Sequence, residues 1–197
     1  MKLTSLLLSV LLVFTCSVAY AQKDTKEAEA SNRVVRKIRK TFIYAQVLPV
    51  LIKPDQAKKI LPVIERGRAD LRKLNLEESK ALVELEKELD ETLKAASEEQ
   101  RLPTPEMIKK IGVTSQAFKM RRQAAYVENV NRVEQVVRDL FDEGQIKTAA
   151  MSWDPRLVTP NINIDEMTED QRFRLWIEDI LIDDITYEVL IEISKRR

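Results

Sequence analysis

Over residues 23–50, apolar side chains recur at spacings of three and four, at Val35, Ile38, Phe42, Ala45 and Pro49, while Arg33, Arg36, Lys37 and Lys40 share another face. This spacing predicts an amphipathic first helix with the apolar set turned toward a core. A second helix is expected from Pro54, a proline at the first helical position with Asp55 beside it, where the helix dipole favours a carboxylate. Ile60, Ile64, Gly67, Leu71 and Leu74 mark its buried stripe, and Pro62 is expected to bend it. Leu76, Leu82, Leu85, Leu89 and Leu93 prolong the pattern, either as one long bent helix or after a restart capped by Asn75 with Glu78.

The segment "EEQRLPTPE" interrupts the periodicity: Leu102-Pro103 stops one helix, Thr104 caps the next, and Pro105 opens it. A returning helix is expected over 105–140, with a seam at Ile111, Phe118, Tyr126, Val130, Val133, Val137 and Leu140, long enough to pack antiparallel on its predecessor. A short helix follows Asp142 and ends near Trp153, and a proline-bearing connector leads to a last helix starting at Thr168 and reaching Ser194. Phe173, Trp176, Ile177, Ile180, Leu181, Ile185, Val189 and Ile193 cover more than half of that helix, so it should be mostly buried, by this chain or by a partner. The expected fold is all-α: a bent antiparallel helical hairpin with a short N-terminal helix and a C-terminal extension helix. Its expected segments are a signal peptide at 1–21, a hairpin domain at 22–153, a connector at 154–167 and the C-terminal helix at 168–197.

Composition narrows the chemistry. Lys2, an apolar run over residues 6–19 and the small-x-small site Ala19-Tyr20-Ala21 read as an export signal, which places the mature chain in the periplasm from Gln22 onward. That cleavage would remove Cys16, the only cysteine, and histidine is absent throughout. Cys-His and Ser-His nucleophilic sites and soft metal sites are thereby disfavoured. Charge is unevenly spread, about +8 over residues 22–75, −6 over 76–100, +3 over 101–147 and −5 over the remainder.

Two stretches resemble each other. "LIKPDQAKKI" and "LFDEGQIKTA" each place an apolar residue, a helix-start position, two spacers and a glutamine in order, at Ile52, Lys53, Pro54 and Gln56, and at Phe141, Asp142 and Gln145. A third copy, Met167, Thr168 and Gln171, lies in the C-terminal extension. A cap residue followed three positions later by glutamine is a capping box, in which side chains satisfy backbone donors at a helix start. Lys53 cannot accept such a bond, so the first box is incomplete.

The order of signal, basic helix, motif, long helix, "LPTPE" turn, returning helix, motif and short helix resembles the LTxxQ-motif periplasmic family, the CpxP and Spy group of stress and chaperone proteins. The resemblance covers residues 24–153. It implies an ATP-independent, chaperone-like or envelope-stress role; the residues themselves specify no catalytic cleft, so neither enzymatic activity nor a cofactor is expected. It also implies a homodimer that receives unfolded or envelope protein clients on a basic, amphipathic helical surface. Here that surface would comprise Arg33, Arg36, Lys37, Lys40, Phe42 and Tyr44. Nucleic acid is not an expected partner, nor is stable membrane insertion after signal cleavage. The competing reading is a structural or adaptor protein of the envelope that docks through its apolar C-terminal helix. The acidic run Glu178, Asp179, Asp183, Asp184, Glu188 and Glu192 reads as a solvated face, and Met107, Met120, Met151 and Met167 as packing residues, with no metal site expected.

Overall fold

A computed structural model describes residues 26–157 and 162–196; the expected signal peptide and its cleavage site fall outside them. The fold is all-α, with no strand among the described residues. Helix α1 spans Lys26–Val47 and runs into a 3₁₀ turn at Leu48–Val50; α2 is Pro54–Glu99, α3 Pro105–Leu140 and α4 Glu143–Ser152. After 3₁₀ turns at Pro155–Leu157 and Ile164–Glu166 come α5, Glu169–Trp176, a π-helical turn at Ile177–Leu181, and α6, Asp184–Ser194. No described helix is long and apolar enough to cross a membrane.

The chain divides between Thr41 and Phe42 into two compact units. In the first, the residues of α1 up to Thr41 expose Val34, Val35 and Ile38, and the Thr41 hydroxyl donates to the Lys37 carbonyl at 3.0 Å. The stripe expected to face a core is therefore bare at Val35 and Ile38. In the second unit, Ala45 and Pro49 are exposed as well, and the buried positions are Ile43, Val47 and Val50. Two apolar stripes alternate along this helix at compatible spacings, and periodicity alone does not choose between them.

Within the second unit α2 is continuous for 46 residues, about 70 Å at the usual rise, and passes through the exposed Pro62 without a break. Asn75 and Glu78 thus cap nothing. Glu78 instead lies in the seam, 1% exposed, and accepts from Arg122 Nε of α3 at 2.7 Å. The buried seam runs through Ile60, Ile64, Gly67, Glu78 and Leu85, whereas Leu76, Leu82 and Leu93 are exposed. At the turn Gln100 takes a left-handed conformation, φ 52°, and the Arg101 amide reaches back to the Ala95 carbonyl at 3.1 Å. Thr104 then caps α3 by accepting from the Met107 amide at 3.2 Å.

The hairpin helices are in tight contact where Gly67 meets Asn129. A Cβ on Gly67 would lie 1.9 Å from Asn129 Oδ1, and Asn129 is itself buried. Above this point the hairpin keeps Leu71, Leu74, Ile111 and Phe118 half-buried and adds ion pairs, Glu88 with Lys110 at 2.6 Å beside the Glu78–Arg122 bond, while Asp70 pairs with Arg132 across the crossing at 3.0 Å. Below it, Val130, Val133 and Val137 of α3 enter a core shared with α4, α5 and α6.

The expected single C-terminal helix is interrupted. The Ile182 amide bonds the Ile177 carbonyl at 3.2 Å, five residues back, and Asp183 starts a new helix by accepting from the Ile185 amide at 2.7 Å. Buried Thr186 donates to the Ile180 carbonyl at 2.5 Å. The added residue per turn re-aims the apolar face, so that Phe173 and Trp176 before the break and Val189 and Ile193 after it enter one core. The acidic run is spent on partners: Asp179 accepts from Trp153 Nε1 at 2.9 Å, Asp184 pairs with Arg68 at 3.2 Å, and Glu178 pairs with Arg174 at 3.1 Å. Arg174 also holds Glu134 of α3 at 2.5 Å. Burial raises the Glu178 carboxyl above its ordinary range, and burial, then Glu178 and Asp179, push the Tyr126 phenol up to about 12.

The Gly67–Asn129 crossing makes a prediction. Gly67→Ala should destabilise the chain by about 1–3 kcal/mol through overpacking, despite alanine's better helix propensity. Adding Asn129→Ala should recover most of that loss in urea melts, because the atoms in collision are gone.

Candidate functional site

The repeated glutamines, 89 residues apart in sequence, meet. Pro54 opens α2 and Asp142 caps α4, so that the N-termini of the two helices face each other at the base of the hairpin. Gln56 and Gln145 occupy the third helical position of each, and both are buried. Gln56 Nε2 donates to Gln145 Oε1 at 2.8 Å, and Gln145 Nε2 donates back to Gln56 Oε1 at 3.1 Å. Each oxygen also accepts the backbone N–H at its own helix start, from Lys53 at 2.8 Å and from Asp142 at 3.2 Å.

Each amide nitrogen has a further role across the pair. Gln56 Nε2 donates to the Leu140 carbonyl at 2.7 Å, two residues before the cap of α4. Gln145 Nε2 reaches the carbonyls of Leu51 at 3.2 Å and Val50 at 3.1 Å, just before the start of α2. The arrangement is a local two-fold in which each glutamine caps its own helix and fastens the chain entering the other. Every polar atom of both side chains is satisfied, as burial requires.

Leu51 shows what the fastening holds. Its φ is 55°, a left-handed conformation that costs a residue with a side chain roughly 1–2 kcal/mol. Its amide bonds the Leu48 carbonyl at 3.1 Å while Gln145 holds its own carbonyl, so both sides of the strained residue are tied. Ile52 and Phe141, the apolar residues of the two motifs, are buried beside the pair, with the Phe141 ring 6.4 Å from that of Trp176.

The three motif copies differ in kind. In the first, only half a box forms, since Lys53 supplies its backbone N–H but no side-chain acceptor. The second is complete, with Asp142 Oδ1 accepting from the Gln145 amide at 2.9 Å. At the third, Thr168 and Gln171 exchange bonds of 2.9 and 3.2 Å beside the half-buried Met167, but Gln171 is exposed and acts as a local cap only. Sequence spacing located all three helix starts. It could not show that two of them share one amide pair, because the shared acceptors are backbone carbonyls of Leu51, Val50 and Leu140.

The residues expected to receive clients are divided between the two units. Arg33, Arg36 and Lys37 are exposed and Lys40 half-exposed on α1 in the first unit. Phe42 and Tyr44 belong to the second and are engaged there: Phe42 packs edge-on against Trp153, centroids 5.4 Å apart, and the Tyr44 hydroxyl donates to Glu192.

The geometry separates the motif glutamines by consequence. Gln56→Ala and Gln145→Ala should each cost about 3 kcal/mol in urea melts, since each leaves several buried groups unpaired, whereas Gln171→Ala should cost about 0.5–1 kcal/mol. Gln145→Glu should be destabilising at neutral pH, because a carboxylate oxygen would face the acceptors that Nε2 now serves. Those acceptors would raise the introduced carboxyl's pKa, so its penalty should shrink as pH falls and the group protonates. A melt unmoved by acid would contradict the assigned donor pattern.

Comparison of the chain with protein-family models, curated proteins and solved structures returns no match.

Proposed function

We propose that the protein is a non-enzymatic, ATP-independent chaperone-like or envelope-stress protein of the periplasm, working as a homodimer on unfolded or envelope protein clients. The observation that carries this reading is the buried Gln56–Gln145 pair, which joins the two motif copies at the base of a long hairpin. The same order of elements underlies the resemblance to the LTxxQ-motif proteins. Above Gly67 the hairpin leaves Leu76, Leu82, Val83, Leu93, Val113 and Met120 exposed, an adaptable aliphatic surface of the kind that suits unfolded chains. Basic residues of α1, Arg33 and Lys37 among them, would speed the encounter with acidic clients, and apolar contacts would prolong it.

The adaptor reading loses its motivation. Phe173, Trp176, Ile180, Val189 and Ile193, the residues meant to dock elsewhere, are already buried in this chain's own core.

The test is an aggregation assay with reduced lactalbumin, an acidic client, held unfolded at low ionic strength. The chain should suppress light scattering near equimolar ratio without nucleotide. Arg33→Glu with Lys37→Glu, at exposed positions, should slow capture several-fold while leaving urea melts nearly unchanged, with the difference shrinking in high salt. No suppression at stoichiometric excess would overturn the proposal.

A further inference from the structure

Three carboxylates share two guanidiniums where α5 and the π-helical turn meet α3. Arg138 divides itself between Glu134 and Asp170, each at 2.9 Å, and Arg174 between Glu134 at 2.5 Å and Glu178 at 3.1 Å. Glu134 is thus held twice, whereas Glu178 has one bond, to a guanidinium whose shorter bond goes to Glu134. Both are largely out of water, their side chains 16% and 23% exposed. The groups facing Glu178 are Arg174 of α5, Glu134 of α3 and its chain neighbour Asp179, with the Tyr126 phenol of α3 beside them. Asp179 itself turns to Trp153 Nε1 at 2.9 Å. One guanidinium therefore favours the charge of Glu178, while burial and two carboxylates oppose it, which is why this carboxyl stands above its ordinary range.

We propose that this cluster is a proton-uptake site, at which Glu178 takes a proton in mild acid and α5 with the π-helical turn seats more firmly on α3. Protonation removes one of the two charges competing for Arg174, and the neutral carboxyl no longer suffers from being out of water. The turn gives this a structural lever, since the five residues Ile177–Leu181 carry Glu178 and aim the apolar faces on either side of them into one core. The direction is opposite to that of an ordinary ion-paired carboxylate. With the folded-state value raised, the penalty on the charged form is fully present above it, shrinks as pH falls through it, and is gone below the ordinary carboxylate value. The proposal goes beyond the chaperone reading and does not rest on it, because proton uptake needs no client.

The experiment compares urea melts of the chain from Gln22 onward with those of Glu178→Gln, from about pH 8 to about pH 5. Histidine is absent from the sequence, so the side chain that ordinarily titrates in this interval does not complicate it. The glutamine variant should have the higher urea midpoint at the alkaline end, and the difference should shrink toward zero at the acid end. Glu169→Gln, at an exposed position on α5, should leave the pH profile of the parent unchanged. Amide exchange in α5 and the turn, corrected for its intrinsic pH dependence, should slow several-fold on acidification in the parent and not in Glu178→Gln. Parallel profiles for the parent and Glu178→Gln would overturn the proposal. So would a glutamine variant less stable than the parent at the alkaline end, since the Arg174 bond would then outweigh the burial it offsets.

Discussion

Two helix N-termini pointed at each other set the central constraint on this structure. Each end carries unsatisfied N–H groups and the positive pole of its helix, so burying α2 and α4 head to head is unfavourable unless acceptors are supplied. A primary amide side chain meets that need, because it offers an acceptor to its own helix start and two donors to whatever stands opposite. Gln56 and Gln145 use both capacities, and the donors fall on each other and on carbonyls of the chain entering the facing helix. Neither aspartate nor glutamate could replace them in ionised form, for want of a donor. Asparagine, one methylene shorter, would have less reach.

Anchoring of the hairpin accordingly weakens with distance from this pair. The base of the hairpin is fixed by the amide pair and by a core containing the largest apolar side chains of the unit, including Trp176, Phe173 and Ile180. Past the Gly67–Asn129 crossing, full burial is confined to a few residues such as Glu78, Leu85 and Met107, and half-buried apolar side chains and exposed ion pairs make up the rest. Exposed pairs of that kind contribute little net stability, so the distal hairpin should open locally at far lower cost than the base. Glu78 is the exception, a buried carboxylate whose bond to Arg122 fixes the register of the two helices at that level.

Much of this was legible in the sequence where local chemistry is unambiguous. Pro54, Thr104 with Pro105, Asp142 and Thr168 each start a helix as their side chains dictate. The long returning helix and the burial of Val130, Val133 and Val137 follow from periodicity alone. Failures arose where two patterns compete. On α1 the Val35–Ile38 stripe and the Ile43–Val47 stripe have compatible spacings, and only the second is buried. On α2 the run of leucines from Leu76 masks a seam that actually passes through a glutamate. The π-helical turn left no periodic trace, because Asp183 and Asp184 resemble any solvated pair until the new helix start is seen. The glutamine pair was half visible: its capping role is a spacing rule, while its tertiary role depends on backbone carbonyls that no side-chain pattern encodes.

The central claim is that Gln56 and Gln145 act as one unit rather than as two separate caps. A double-mutant cycle measures this directly, using Gln56→Ala, Gln145→Ala and the pair in equilibrium urea unfolding. Shared bonds predict that the double variant is less destabilised than the sum of the singles, with a coupling energy of about 1–3 kcal/mol. Additivity within about 0.5 kcal/mol would contradict the account, and would reduce each glutamine to the cap of its own helix.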